Sequence, residues 1–205
     1  MTDISVTCLQ RLPIYLNYLK TLDGDGFISS GAIARALGMG EVLVRKDLAY
    51  TAAQGKSRVG YKKSELIYAL EDFLGCNNKE NAVLIGAGGI GSALLAYGGF
   101  KNYGIELAAA FDSDDKKVGT EISGKPVFSM SQLKEKIKEL GASLAVICVP
   151  ASVAQTVADE LCTCGVKAIL NFAPVLLRVK DGVTVRNIDV AANLAILSSI
   201  SVHKN

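Results

Sequence analysis

The 205-residue sequence has little of what most enzymes and secreted proteins are built on. Its one histidine, His203, stands in a polar tail two residues from the end. No apolar run is long enough to cross a bilayer, and the first residues lack the basic-then-apolar order of a signal peptide. The expectation is a cytoplasmic protein with no membrane partner. Five cysteines (Cys8, Cys76, Cys148, Cys162 and Cys164) are odd in number and lack C-x-x-C spacing, which argues against a disulfide framework and a zinc site. They read as reduced thiols acting as small hydrophobes. Net charge is scarce too: 22 basic against 20 acidic residues leave +2, so the whole-chain balance says nothing of nucleic acid. Apolar material is plentiful. Hydrophobic residues make up 50% and charged ones 20%, enough for real cores and too apolar for disorder.

Charge is concentrated in one place. From Arg45 to Lys63 the basic residues are Arg45, Lys46, Lys56, Arg58, Lys62 and Lys63, against the single acid Asp47. The polar run from Leu74 to Asn81, opening on Gly75, reads as a linker. Before it, apolar residues recur at helical spacing and no strand pair is evident. After it, short runs rich in valine, isoleucine and alanine alternate with amphipathic segments, the pattern of βαβ units.

In the first part, Leu9, Leu12, Leu16 and Leu19 share one helical stripe. Ser29 or Ser30 caps a short helix that carries Ile33, Ala34 and Leu37 and stops at Gly38. Gly38-Met39-Gly40 makes a tight turn, and a further helix runs from about Glu41 to Thr51 with Val44 and Leu48 inward. Two short helices joined by such a turn have helix-turn-helix spacing. Arg45 and Lys46 then lie where side chains reach a major groove: arginine suits bidentate contact with guanine and lysine attracts phosphate. Glycine-punctuated, basic Gly55–Tyr61 reads as a turn or short wing, and Ser64 as the cap of a helix over Glu65–Leu74.

In the second part strands are expected near Ala82–Ile85, Glu106–Phe111, Leu144–Val149 and Lys167–Leu170, with a last pair around Leu176–Val179 and Val183–Arg186. Helices are expected near Gly89–Tyr103, Ser131–Leu140, Ser152–Cys164 and Asp189–Ser199. The last helix carries more apolar surface than one stripe, which suits packing on another subunit. Gly86-Ala87-Gly88-Gly89-Ile90-Gly91 follows the first strand as G-x-G-x-x-G. Gly86 serves the tight turn, Gly88 the approach of backbone to pyrophosphate, and Gly91 the packing of helix on strand. The helix start offers N–H groups and its positive dipole end to phosphate. Asp112, closing the next strand after Phe111, is the acid expected about twenty residues on, and it favours NAD over NADP by accepting ribose hydroxyls. Lys116 and Lys117 stand close behind it and temper that preference.

A dehydrogenase needs a proton donor beside the nicotinamide, and none stands out. His203 is a tail residue, and Tyr97 and Tyr103, though Tyr97 has Lys101 four residues on, lie on the helix just after the glycine loop. Little chain is left for a substrate domain. Two other readings stay open: an NAD-dependent oxidoreductase with an appended regulatory domain, and a nucleotide- or CoA-binding module with a protein-interaction domain.

Several motifs in order resemble the Rex family of redox-sensing transcriptional repressors. They are Arg11-Leu12-Pro13 with Tyr15 and Leu19, Ile28-Ser29-Ser30, Val44-Arg45-Lys46-Asp47-Leu48, Val59-Gly60-Tyr61, the glycine loop, Ala110-Phe111-Asp112 with Val118-Gly119, Asn171-Phe172-Ala173-Pro174, and Arg186-Asn187-Ile188-Asp189. The resemblance implies an α/β chain: an N-terminal winged-helix DNA-binding domain (1–78), a Rossmann-type parallel-sheet domain for NADH or NAD⁺ (79–188), and a C-terminal helix (189–205) that packs into the partner of a homodimer. Such repressors hold inverted-repeat operators in double-stranded DNA and let go when NADH replaces NAD⁺. Ser29, Ser30, Arg45 and Lys46, with Lys56, Arg58 and Tyr61 of the wing, would face DNA. Val149, Pro150 and the glycine loop would line the cofactor, with Phe172, Ala173 and Pro174 near the nicotinamide. Tyr97 and Asp189 match positions that couple the nicotinamide to subunit orientation. This chain departs from the family at Asn17, where a basic residue is usual, and at Ser57-Arg58, where arginine-glycine is usual.

Overall fold

The computed structural model describes residues 4–203, with only the backbone of His203, so the expectation for that side chain lies outside the described residues. The chain divides into two compact units between Asn78 and Lys79.

The first unit holds α1 (Val6–Thr21), β1 (Phe27–Ile28), α2 (Ser30–Leu37), α3 (Glu41–Leu48), β2 (Tyr61–Lys62) and α4 (Lys63–Phe73). The stripe on α1 is real: Leu12, Leu16 and Leu19 are buried with Tyr15, although Leu9 is exposed. Ile33, Ala34, Val44, Leu48, Leu66 and Leu70 complete this small core. The Ser29 hydroxyl accepts from the Ala32 amide at 3.1 Å and starts α2, and Gly38 ends it in a left-handed conformation. Helix α3 stops three residues short of the expected Thr51, whose hydroxyl donates to the Leu48 carbonyl at 2.7 Å.

Two expectations for this unit are corrected. A strand pair is present, with β1 antiparallel to β2 (Phe27 opposite Lys62, Ile28 opposite Tyr61). Two-residue strands more than thirty residues apart leave no local alternation to read. Nor does Ser64 cap α4. The Asp25 carboxylate, 39 residues back, accepts from the Ser64 amide at 2.9 Å and from its hydroxyl at 3.1 Å.

The second unit is a seven-stranded sheet built from β3 (Glu80–Ile85), β4 (Ile105–Asp112), β5 (Glu121–Ile122), β6 (Lys125–Ser129), β7 (Leu144–Ile147), β8 (Ala168–Asn171) and β9 (Thr184–Asn187). Their order is β5-β6-β4-β3-β7-β8-β9, parallel throughout except that β5 pairs antiparallel with β6. Without β5 this is the strand order of a doubly wound dinucleotide-binding fold, and its direction reverses between β3 and β7. Helices α5 (Gly89–Ala96), α6 (Leu133–Leu140) and α7 (Ala151–Thr163) connect the strands. Val83, Ile85, Phe111, Ile147, Leu161 and Ile169 are buried in the larger of two sheet-face cores, which takes in residues of α6 and α7.

Three further differences follow from tertiary packing. The helix expected over Gly89–Tyr103 breaks at Tyr97, and Gly98–Tyr103 continues as a 3₁₀ turn. Of the expected last pair only one strand forms, and β9 runs parallel to β8 rather than in a hairpin. Strand β6 was not expected; its Pro126 stands opposite Glu121 of short β5, ahead of the residues Val127–Ser129 that pair with β4. The closing helix, α8 (Val190–His203), is exposed along its described side chains, with Val190, Leu194 and Leu197 each over 60% accessible. Asp189 caps it by accepting from the Ala192 amide at 2.8 Å.

Candidate functional site: a dinucleotide cleft and a basic groove

The glycine loop leaves β3 at the switch point, where neighbouring strands feed opposite ways and open a crevice at their carboxyl ends. Gly86 is at φ +95°, and a Cβ there would lie 2.6 Å from the Cys148 carbonyl oxygen. At Gly91 a Cβ would lie 2.1 Å from the Gly86 oxygen, so α5 reaches the loop only because Gly91 lacks a side chain. Gly88 and Gly89 differ. Among the described residues, nothing beyond the adjoining chain lies within 4 Å of a Cβ at either, so the backbone at the start of α5 faces open space. That opening and the unbonded N–H groups of a first helical turn fit a pyrophosphate.

A cleft of about 420 Å³ lies at this point, lined by Gly86, Gly88, Phe111, Asp112, Val149 and Pro150. Ala87 and Gly91 are buried, Gly89 and Ile90 are exposed, and none of the four is in the lining. Sequence reasoning did not find Met130, Val153, Thr156 and Glu160, which also line it. Met130 comes from the 3₁₀ turn that precedes α6 and the other three from the face of α7, and no spacing marks them.

Asp112 is more occupied than expected. Its Oδ2 accepts from the Ala87 amide at 2.8 Å and from Lys117 Nζ at 3.0 Å, while Oδ1 accepts from the Asp114 amide at 2.9 Å. Burial pushes its pKa up, but the Asp114 amide, Lys117 and the Ala87 amide outweigh that and hold it below the usual carboxylate range. A carboxylate has about four lone-pair positions, so roughly one remains for a ribose hydroxyl unless Lys117 yields its place. The residues fit a dinucleotide with free ribose hydroxyls. Cys148 also lines the cleft, its thiol pushed up to about 11 by burial, which leaves it a poor nucleophile.

Phe172, Ala173 and Pro174 follow β8 and do not line this cleft. Ala173 is buried, Phe172 is half-buried against the second sheet-face core, and Pro174 is exposed. Tyr97 is exposed and stacks edge-on to Phe100 at 5.4 Å. Asn17 is exposed on α1.

In the first unit, a groove of about 450 Å³ gathers Ser29, Ser30, Arg45, Lys56, Arg58 and Tyr61. Lys46 is exposed on α3 but outside it. Lys56 and Gly60 close the wing tip by exchanging two backbone bonds of 2.8 and 2.9 Å. Arg58 sits at the apex with φ +62°, the left-handed conformation that a glycine takes at no cost. The Lys56 ammonium lies 5.2 Å above the Phe27 ring, which props the wing on β1. Glu41 also lines the groove. Its carboxylate suits the start of α3 and can accept from a cytosine amine, a role the charge count hid.

Helix α3 is clamped from behind. Arg11 Nε and Nη2 donate to the two Asp47 oxygens at 2.6 and 2.8 Å, and the Tyr15 hydroxyl donates to Oδ2 at 2.7 Å. Burial raises the Asp47 pKa, but the hydrogen bonds from Arg11, Tyr15 and Cys8 prevail and hold it below its ordinary value. Because the folded-state pKa is depressed, the stabilisation is present at neutral pH and disappears as pH falls below about 4. Asp47→Asn leaves Arg11 without its charge partner, and thermal melts at pH 7 should show a loss of roughly 3 kcal/mol. The gap between wild type and variant should close as the buffer is taken toward pH 3. A constant gap would mean the pair contributes only packing.

A wing and helix-turn-helix with a basic groove, joined to a dinucleotide fold with an open glycine loop, define a ligand-regulated DNA-binding protein. Comparison with known proteins agrees. Residues 3–49 match the family described as a DNA-binding protein N-terminus, and residues 77–175 match the CoA binding domain family. A Redox-sensing transcriptional repressor Rex of Porphyromonas gingivalis is 40% identical over 198 residues, covering 96% of this chain and 91% of that protein. The Rex of Treponema denticola is 42% identical over 191 residues, covering 92% and 91%. The crystal structure of RSP in complex with beta-NAD⁺ and operator DNA superposes with a TM-score of 0.93 at 30% identity, covering 100% of this chain and 95% of that one. The chain belongs to the Rex family of redox-sensing transcriptional repressors.

Proposed function

We propose that this chain is a transcriptional repressor, not an enzyme, which reads the NADH/NAD⁺ ratio and leaves an inverted-repeat operator when NADH binds. The observation that carries this reading is the pairing of two sites in one chain: the basic groove around Arg45 and Arg58, and the open glycine loop above the Asp112 cleft. Residues 1–78 form the DNA-binding domain, 79–188 the cofactor domain, and 189–205 the dimerisation helix.

Arg45 and Lys46 enter the major groove, Lys56 and Arg58 meet the backbone from the wing, and Ser29, Ser30 and Tyr61 fix register through phosphates. Gly86–Gly91, Phe111, Asp112, Val149 and Pro150 hold the dinucleotide. Phe172–Pro174 meet the nicotinamide, and Tyr97, Asp189 and Asn17 couple its state to subunit orientation. The two rings differ by a positive charge and by planarity, so the loop and acid around them give NADH and NAD⁺ different free energies in the two orientations, and the population shifts accordingly.

A homodimer supplies two recognition helices for a two-fold site. The exposed apolar sides of α8 support it, as does an apolar trough of about 220 Å³ on the sheet lined by Leu144, Val146, Ala168 and Leu170. A partner's α8 laid there would cover both.

Operator binding at fixed salt, titrated with each cofactor, tests the proposal. NADH should raise the operator dissociation constant at least tenfold (coupling of about 1–3 kcal/mol) and NAD⁺ should not, with two chains bound per operator. Equal effects of the two cofactors would sink the redox reading, and steady consumption of NADH with a carbonyl substrate would favour an oxidoreductase.

A further inference from the structure

Strand β8 ends on Asn171, whose side chain is fully buried. Packing alone would accept an apolar residue here, and an unsatisfied buried amide is costly. This amide is satisfied through two separate segments. Its Oδ1 accepts from the Ala173 amide at 3.0 Å. Its Nδ2 donates to the Val175 carbonyl at 2.9 Å and to Asn187 Oδ1 at 2.8 Å, and lies 3.1 Å from the Ala173 carbonyl. The Ile188 amide in turn donates to the Asn171 carbonyl at 2.8 Å. One residue later Asp189 caps α8, and its carbonyl accepts from Asn193 Nδ2 at 2.6 Å.

An Nδ2 group has two hydrogens, and here three oxygens compete for them. Two of the acceptors belong to the 172–175 loop and the third to the end of β9. A shift of the loop carbonyls redistributes those hydrogens and tightens or frees Asn187, two residues before the cap of α8. Discrete sharing of this kind gives two arrangements rather than a continuous drift.

We infer that Asn171 and Asn187 form the link that carries a displacement of the Phe172–Val175 loop to the root of α8. Asn171 is thus a positioning residue of the switch and not a contact of the cofactor. The inference rests on the proposed reading of that loop as the nicotinamide wall.

The test is made on the exposed partner, so that the fold survives. Asn187→Ala removes the acceptor, while Asn187→Asp keeps an oxygen in place. NADH fluorescence titration without DNA should give wild-type affinity for both variants. The NADH concentration that half-releases operator should rise on the order of tenfold in Asn187→Ala and return to the wild-type value in Asn187→Asp. Release by Asn187→Ala at the wild-type concentration, or equal impairment of both variants, overturns the link. The wild-type titration run alongside separates the two claims: a wild type indifferent to NADH removes the sensor reading and the link with it, whereas a responsive wild type with a matching Asn187→Ala removes the link alone.

Discussion

Arg45→Ala is expected to abolish specific operator binding at physiological salt while leaving NADH affinity intact. Arg45 is exposed on α3, lines the basic groove, and belongs to the same helix as the Asp47 anchor, so its base is held while its tip is free. A bidentate arginine–guanine contact is worth about 1–3 kcal/mol of discrimination. A symmetric dimer loses it twice, which amounts to about 30-fold at the low end and about twenty-thousandfold at the high end. Lys46→Ala should behave differently. If it meets phosphate, binding falls on every sequence alike and the salt slope drops by about one per lost contact. Operator and scrambled duplexes titrated over a range of salt separate the two. Wild-type affinity in Arg45→Ala would place the α3 face in solvent and remove the recognition-helix assignment.

The second large effect belongs to Gly91→Ala. The added methyl carbon would meet a backbone oxygen 2.1 Å away and the Leu84 side chain at 2.9 Å, so α5 and its loop must separate. Overpacking against backbone costs about 3 kcal/mol or more, and the phosphate-facing amides move with the helix. NADH affinity should fall about a hundredfold, leaving a repressor that stays on its operator at any cellular NADH level. Gly88→Ala is the informative contrast. A Cβ there meets none of the described residues beyond the adjoining chain, so its melting temperature should stay at the wild-type value while NADH binding weakens if the methyl occupies the space proposed for the pyrophosphate. Unchanged NADH binding in both variants would mean that the loop is structural only.

The readability of these sites divides along contact range. The glycine loop was legible because its determinants are local: a strand, three glycines and a helix start lie within a dozen residues, and each glycine has a steric reason now visible at Gly86 and Gly91. The helix-turn-helix was legible for the same reason, with Ser29 capping and Gly38 stopping α2. The residues it missed come from elsewhere in the chain. Thr156 and Glu160 line the cleft only because α7 is laid over the sheet. Asp25 displaces Ser64 as the cap of α4 across 39 residues. The wing was legible from its glycines and basic residues, but its prop was not, since Phe27 under Lys56 comes from β1.

By itself the sequence determined the two-part plan, the parallel α/β class of the second part, the glycine loop between strand and helix, and the basic helix, because each rests on periodicity, capping or spacing within a short stretch of chain. Only the tertiary structure decided how full the Asp112 carboxylate is, which residues of α7 share its cleft, that Asp47 is a buried anchor and not a surface charge, and that α8 stands exposed beyond the sheet. Those are outcomes of who lies beside whom after folding. A carboxylate's role depends on which donors reach it, and donors brought from Arg11 or Lys117 leave no periodic trace in the order of residues.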